Sequence, residues 1–197
     1  MSSKNSETRE KILIAAWRLL EEDHASGVRM ADIAKEAGVS RQAVYLHYPT
    51  RGALLVATAR YLDVINKVDD RLVKSRAASS GLERLDAYID ALAGYFPKIY
   101  GVARAFIAMK DTDEEAAAAW ADRMHAIRHG CAAAVSALKK DGDLKPGLTA
   151  AQATDTLWML LSVPNWELLT KECGWSQKRF ETTIKSLAFQ ALTGKEP

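Results

Sequence analysis

Five stretches of the chain, residues 1–26, 53–80, 102–129, 148–163 and 175–193, contain neither glycine nor proline. These two residues punctuate local structure most strongly, and intervals of this length suit helices rather than strands. No sustained alternation of Val, Ile and Thr marks a strand, and no Asn-Gly or Asp-Gly pair joins two such runs. Alanine-rich segments at 114–120 and 131–138 favour helix strongly. The chain reads as all-α, with no internal repeat and no low-complexity tail.

At 197 residues and 48% apolar, it can bury a proper core and is not intrinsically disordered. Cys131 and Cys173 lie 42 positions apart and make no disulfide framework, so a reduced, cytoplasmic setting is expected. The N-terminus is polar and charged, unlike the apolar core of a signal peptide, and no run approaches eighteen apolar residues. A soluble protein without membrane contact is the expectation.

Apolar spacing and capping residues locate the helices. The first runs from about Ser6 to Asp23, with Ile12, Leu13, Ala16, Trp17, Leu19 and Leu20 on one face. Short helices follow over Met30–Ala37 and Arg41–Tyr48, separated by Gly38-Val39-Ser40. Gly38 suits a left-handed turn and Ser40 a helix cap. Thr50 caps a fourth helix that runs from Arg51 well past Tyr61. Beyond it, helices are expected over Leu82–Phe96, ended by Pro97, and over Lys98–Lys110. Thr112 is expected to cap a long helix to about Lys140, and Thr149 with Gln152 forms a capping box for the next. Pro164 kinks or restarts that helix, Gly174 closes it, and Ser176 caps the last, which ends near Leu192.

Met30–Arg51 is the informative segment, because two short helices joined by a glycine turn make a helix-turn-helix. Arg41, Gln42, Tyr45 and His47 lie mostly opposite apolar Val44. A helix that only filled core would not need such an outward set, whereas one laid in a DNA major groove would. Arg pairs with guanine edges and Gln with adenine, and Ala43 is short enough to approach a thymine methyl. Tyr45, His47 and the start of the fourth helix at Thr50-Arg51 are placed to hold phosphates. Ser40 is read first as a cap and second as a phosphate ligand. Tyr48 is expected to pack under the turn.

The run from Asp32 to Arg51, Asp-Ile-Ala-Lys-Glu-Ala-Gly-Val-Ser-Arg-Gln-Ala-Val-Tyr-Leu-His-Tyr-Pro-Thr-Arg, closely resembles the DNA-binding signature of tetracycline-repressor (TetR-type) transcriptional regulators. Ala53-Leu54-Leu55 and the first helix extend the likeness over roughly residues 6–62. Arg29 stands where that family commonly has Thr or Ser, and Gly52 where an acidic residue is frequent. Position by position, the resemblance implies base contacts from Arg41, Gln42 and Ala43. It implies phosphate contacts from Tyr45, His47 and Arg51, with Ser40 and Thr50 beside them.

The charge pattern agrees with such a division. The net charge is +2, and residues 1–62 hold nine basic against seven acidic side chains, while residues 63–197 hold eighteen of each. The resemblance implies a DNA-binding domain over 1–62 and a helical ligand-binding and dimerisation domain over 63–197. The latter holds eleven of the fifteen aromatic residues. Phe106, Met109, Trp120, Met124, Trp158 and Met159 are candidates for a ligand pocket, although any one of them reads more readily as core, with His125 as a polar wall. His125 and His129 share a helix face, but a polar wall or exposed face is the preferred reading over a metal site. Trp158, Leu161, Trp166, Leu168 and Leu169, then Phe180, Ile184, Leu187, Ala188, Ala191 and Leu192, supply apolar faces for dimerisation through the last two long helices.

No Gly-rich phosphate loop, Gly-x-Ser-x-Gly elbow or cysteine cluster points to catalysis or a cofactor. The resemblance implies a ligand-responsive repressor that binds a palindromic operator as a homodimer and is released by a small-molecule inducer. The competing reading is an all-α small-molecule-binding protein or enzyme whose helix-turn-helix is only structural.

Overall fold

A computed structural model describes residues 2–22 and 28–195, and these contain helices and no strand. In chain order the helices are α1 (Ser2–Glu22), α2 (Met30–Glu36), α3 (Arg41–His47), α4 (Arg51–Ile65), α5 (Val68–Arg76) and α6 (Gly81–Ala93). They continue as α7 (Phe96–Met109), α8 (Glu114–Asp141), α9 (Ala150–Leu160), α10 (Val163–Glu167) and α11 (Gln177–Leu192). A π-helical turn, Leu168–Glu172, follows α10. Asp23, the expected end of the first helix, lies outside the described residues. No described helix is long and apolar enough to cross a membrane.

Most caps fall where the side-chain chemistry puts them. Ser40 Oγ accepts from the Ala43 amide, Thr50 Oγ1 from Ala53, and Ser176 Oγ from Arg179. Thr149 and Gln152 form the reciprocal capping box. Each such cap satisfies a helix donor that would otherwise lack a partner, worth about 1 kcal/mol.

Three boundaries differ from the sequence expectation. Pro97 does not end a helix: α6 stops at Ala93, and Pro97 sits in the first turn of α7, where its missing N–H removes no intrahelical bond. Thr112 is not the cap of α8. Its hydroxyl donates to Met109 O, and Asp113 Oδ1 instead accepts from the Glu115 and Ala116 amides, both at 3.1 Å. The chain also breaks between α4 and α5, where Lys67 takes the left-handed conformation at φ 53°. Neither glycine nor proline stands nearby to announce that break, and a non-glycine residue in this region is uncommon.

The chain divides into two compact units, residues 1–66 with 99–124 and residues 67–98 with 125–197. The first gathers α1–α4, most of α7 and the beginning of α8 around Ile12, Leu20, Ile33, Val44, Leu54 and Phe106. In the second, α6 packs on α5 and α11, and Phe96 meets Phe180 edge-on at 6.2 Å between ring centroids. Lys185 of α11 bridges Asp86 and Asp90 of α6, at 2.7 Å to each.

The second unit also buries a thiol and a phenol side by side, with Cys131 Sγ 4.0 Å from Tyr88 Oη. Burial pushes the Cys131 thiol up to about 12, from an ordinary value of 9.0, and raises the Tyr88 phenol as well. Above pH 9 the unfolded chain releases the Cys131 proton while the folded chain keeps it. The unfolded state then binds fewer protons, so stability falls as pH rises from 9 towards 12. Urea unfolding at a series of pH values should show this decline, with a shallower slope in Cys131→Ala. Equal slopes in the two proteins would contradict the assignment.

Candidate nucleic-acid interface

Four features hold α2 and α3 in place. Gly38 takes φ +65° in the turn, a region that residues with a Cβ rarely adopt. Ser40 starts α3, and buried Val44 fastens its inner face to the core of the first unit. Tyr48 then closes the far end: it is buried, as expected, and Arg9 Nε donates to its hydroxyl at 3.1 Å. A seven-residue helix is marginal alone, so this anchoring is what keeps α3 formed and presented.

The outward side of α3 carries Arg41, Gln42, Tyr45 and Leu46, all exposed. Tyr45 is 45% exposed and Leu46 81% exposed. Ala43 and His47 are half-buried, with the His47 ring 6.5 Å from that of Tyr48. The structure thus brings Arg41, Gln42 and Tyr45 onto one open surface, with Ser40 and Thr50 as caps at its two margins. Leu46 is a surface residue that the polar pattern of the sequence does not single out. Its spacing of four from Gln42 is the signal that could have found it.

Arg51 lies elsewhere than the resemblance implies. Its side chain is 18% exposed, Nε donates to Val28 O at 2.6 Å, and Nη1 meets Asp113 at 2.8 Å and Glu115 at 3.4 Å. The guanidinium is engaged inside the unit, holding the start of α4 to the segment before α2 and to the start of α8. It does not stand open for a phosphate. Gly52 completes this arrangement: its amide donates to Glu115 Oε1 at 2.8 Å. A Cβ at position 52 would sit 3.2–3.4 Å from the Glu115 side chain, so glycine permits the close approach. The second departure, Arg29, offers no side-chain cap to α2 and pairs loosely with Asp32 at 3.8 Å.

Farther along α4, Arg60 binds Asp122 at 2.6 Å, and Asp63 pairs with Arg123. The Arg60 guanidinium holds the Asp122 carboxyl below the usual carboxylate range. Helix α4 and the first part of α8 are therefore joined by ion pairs near both ends of α4.

The residues expected to line a ligand pocket fall into different surroundings. Phe106 and Met109 are buried in the core of the first unit, and Trp120 packs against it. Met124 is half-buried. In the second unit Trp158 is half-buried with the Arg128 guanidinium 5.9 Å from its ring centre, whereas His125 and Met159 are exposed. His125 and His129 sit on α8 with no metal-holding cluster of His, Cys, Asp or Glu among the described residues. Apolar packing claims Phe106 and Met109, because each lies on the face of α7 that meets the core. The first unit has an open groove of about 590 Å³ elsewhere, lined by Arg9, Leu13, Val56, Ala57 and Tyr61 among others. None of these belongs to the set expected at a ligand site.

The residues expected at a dimer face divide likewise. Phe180, Ile184, Ala188 and Leu192 are buried within the chain, while Leu168 and Leu187 are exposed.

Residues 12–58 match the sequence model for "Bacterial regulatory proteins, tetR family". The HTH-type transcriptional regulator CymR of Pseudomonas putida is 34% identical over 92 residues, covering 46% of this chain and 44% of that protein. The chain spans about half the length of the curated relatives it matches. Over nearly the whole chain the fold matches NalD of Pseudomonas aeruginosa, the secondary repressor of the MexAB-OprM multidrug efflux pump. That match has a TM-score of 0.71, 20% identity and 98% coverage of each chain. It also matches the transcriptional regulator FadR of Bacillus subtilis, solved with stearoyl-CoA, with a TM-score of 0.74, 13% identity, and coverage of 92% of this chain and 98% of the other. At such identities these two likenesses speak to fold, while the match over the helix-turn-helix speaks to kinship. Through residues 12–58, which hold the helix-turn-helix, the chain is similar to the tetR family of bacterial regulatory proteins.

Proposed function

We propose that the chain is a DNA-binding transcriptional repressor that binds a palindromic operator as a homodimer and is released by a small molecule. The observation that carries this reading is the surface of α3, with Arg41, Gln42 and Tyr45 exposed on a short helix anchored by Val44, Tyr48 and the Ser40 cap. Arg41, Gln42 and Ala43 face bases in this reading, and Tyr45, His47, Ser40 and Thr50 steady the phosphate backbone. Kinship with regulators supports it over an enzyme. The repressor action of NalD and the stearoyl-CoA held by FadR support repression and a small-molecule effector, without naming this chain's own.

Two copies joined through the α9–α11 region would use the apolar side chains left exposed there, including Leu168 and Leu187. Half-sites would then lie one helical turn apart, roughly 34–36 Å, or a multiple of it. An effector releases DNA only by binding better to a form whose two α3 helices are wrongly spaced. The effector site belongs to the helical body, in the domain proposed for residues 63–197.

Selection of bound fragments from a genomic DNA library tests the reading. Retained fragments should share an inverted repeat, and their affinity should fall steeply with salt. Gln42→Ala should change the preferred sequence rather than weaken all sequences equally, by roughly 1–3 kcal/mol at one base pair. Retention of no fragment above background would overturn the proposal.

A further inference from the structure

We propose that Leu46 is a specificity-determining residue that reads a thymine C5-methyl group in the major groove. The inference rests on the DNA-binding reading and names a contact which that reading does not contain. Successive side chains on a helix turn by about 100°, so Leu46 lies roughly 200° from buried Val44 and on the same side as Gln42, four residues earlier. Val44 and Tyr48 define the inner side of α3, which places Leu46 at the part of the helix farthest from the core. At 81% it is the most exposed large apolar side chain among the described residues.

An exposed leucine is by itself ordinary. This one stands next to the last residue of a seven-residue helix whose other outward residues, Arg41, Gln42 and Tyr45, are polar. A leucine has neither charge nor hydrogen-bonding group, so it offers nothing to a phosphate. In the major groove the apolar feature of a base edge is the thymine methyl, the only one by which an A·T pair is recognised without a hydrogen bond. Gln42 beside it is suited to adenine, so the two together favour a short A·T-containing step. Val64, also exposed and apolar, lies near the C-terminal end of α4, outside the helix-turn-helix.

The test uses a fragment recovered in the selection above and replaces each thymine in turn by deoxyuridine, which removes only the methyl group. Removing one buried methyl is worth about a fourfold change in affinity. Wild-type protein should lose roughly threefold to fivefold at one thymine of the half-site. Leu46→Ala should bind the unaltered fragment correspondingly weaker and should no longer distinguish thymine from deoxyuridine at that position. Gln42→Ala should retain the distinction there. Because the Leu46 side chain stands largely in solvent, Leu46→Ala should melt with the wild type, which separates a lost contact from a lost fold. Leu46→Ala that discriminates thymine from deoxyuridine at every position as the wild type does would overturn the inference. So would a wild type indifferent to every methyl, as expected if Leu46 meets a protein surface or a deoxyribose instead. If the wild type retains no DNA, the functional reading itself fails, and that is seen before any variant is made.

Discussion

Arg51→Ala is expected to destabilise the first unit by about 2–3 kcal/mol, below the full cost of breaking a buried ion pair. The discount reflects the partial exposure of its carboxylate partners. The substitution removes the donor that serves Val28 O, Asp113 and Glu115 together. It leaves two acidic groups beside the start of α4 with no guanidinium to neutralise them. Arg51→Lys keeps the charge but cannot fork towards three partners, so its cost should be intermediate. Urea unfolding of the three proteins checks this. A change within about 0.5 kcal/mol for Arg51→Ala, the range of ordinary surface substitutions, would show that the network contributes nothing. The DNA measurement separates the two roles that sequence and structure suggest. A phosphate ligand, when removed, lowers the slope of binding against salt by about one and leaves stability alone. A clamp leaves the slope unchanged and lowers stability, and that is the result expected here.

The second large effect lies in the other unit, where Gly81→Ala is expected to cost about 3 kcal/mol. A Cβ at Gly81 would stand 2.6 Å from Leu138 N and 2.7 Å from both Ala137 C and Leu138 Cα. These are backbone atoms of α8, so no side-chain rotation relieves the clash. The Gly81 amide also donates to Asp141 Oδ2 at 2.6 Å, which ties the first turn of α6 to the last residue of α8. Alanine at an ordinary helix position would instead favour the helix by up to about 1 kcal/mol. Overpacking a close contact costs roughly 1–3 kcal/mol, and the immobile obstacle places this case at the upper end. Ser80→Ala, which removes only the cap of α6, provides a scale of about 1 kcal/mol. Chemical denaturation of both variants decides the matter. Gly81→Ala as stable as the wild type, or costing no more than Ser80→Ala, would mean that α6 and α8 do not approach this closely.

Both effects depend on partners that the sequence presents without emphasis. Gly52 reads there only as a departure from the family's pattern, and the reason for a glycine appears once Glu115, 63 positions later, is seen against its amide. In the sequence Asp113 only follows Thr112, the expected cap. In the structure it caps α8 with Oδ1 and meets Arg51 through both oxygens. Leu46 gives no polar signal on a helix whose other outward residues are polar, and its spacing of four from Gln42 gains meaning only beside its exposure. Phe106 and Met109 look like pocket residues in the sequence because large adaptable side chains serve both purposes. Only the packing of α7 distinguishes core from pocket.

What the sequence determined by itself is what depends on neighbours a few residues away. The helical class, the Ser40, Thr50, Thr149 and Ser176 caps, the left-handed turn at Gly38 and the helix-turn-helix all follow from side-chain and backbone preferences within one or two helical turns. Even the family signature is local, since it lies within the matched residues 12–58. The tertiary structure decided the rest: that Pro97 opens a helix, that Lys67 interrupts one, and that Arg51 is a clamp while Leu46 faces outward. Partners dozens of positions apart settle which group satisfies a charge or a donor, and no period of two or 3.6 residues records which of them will meet.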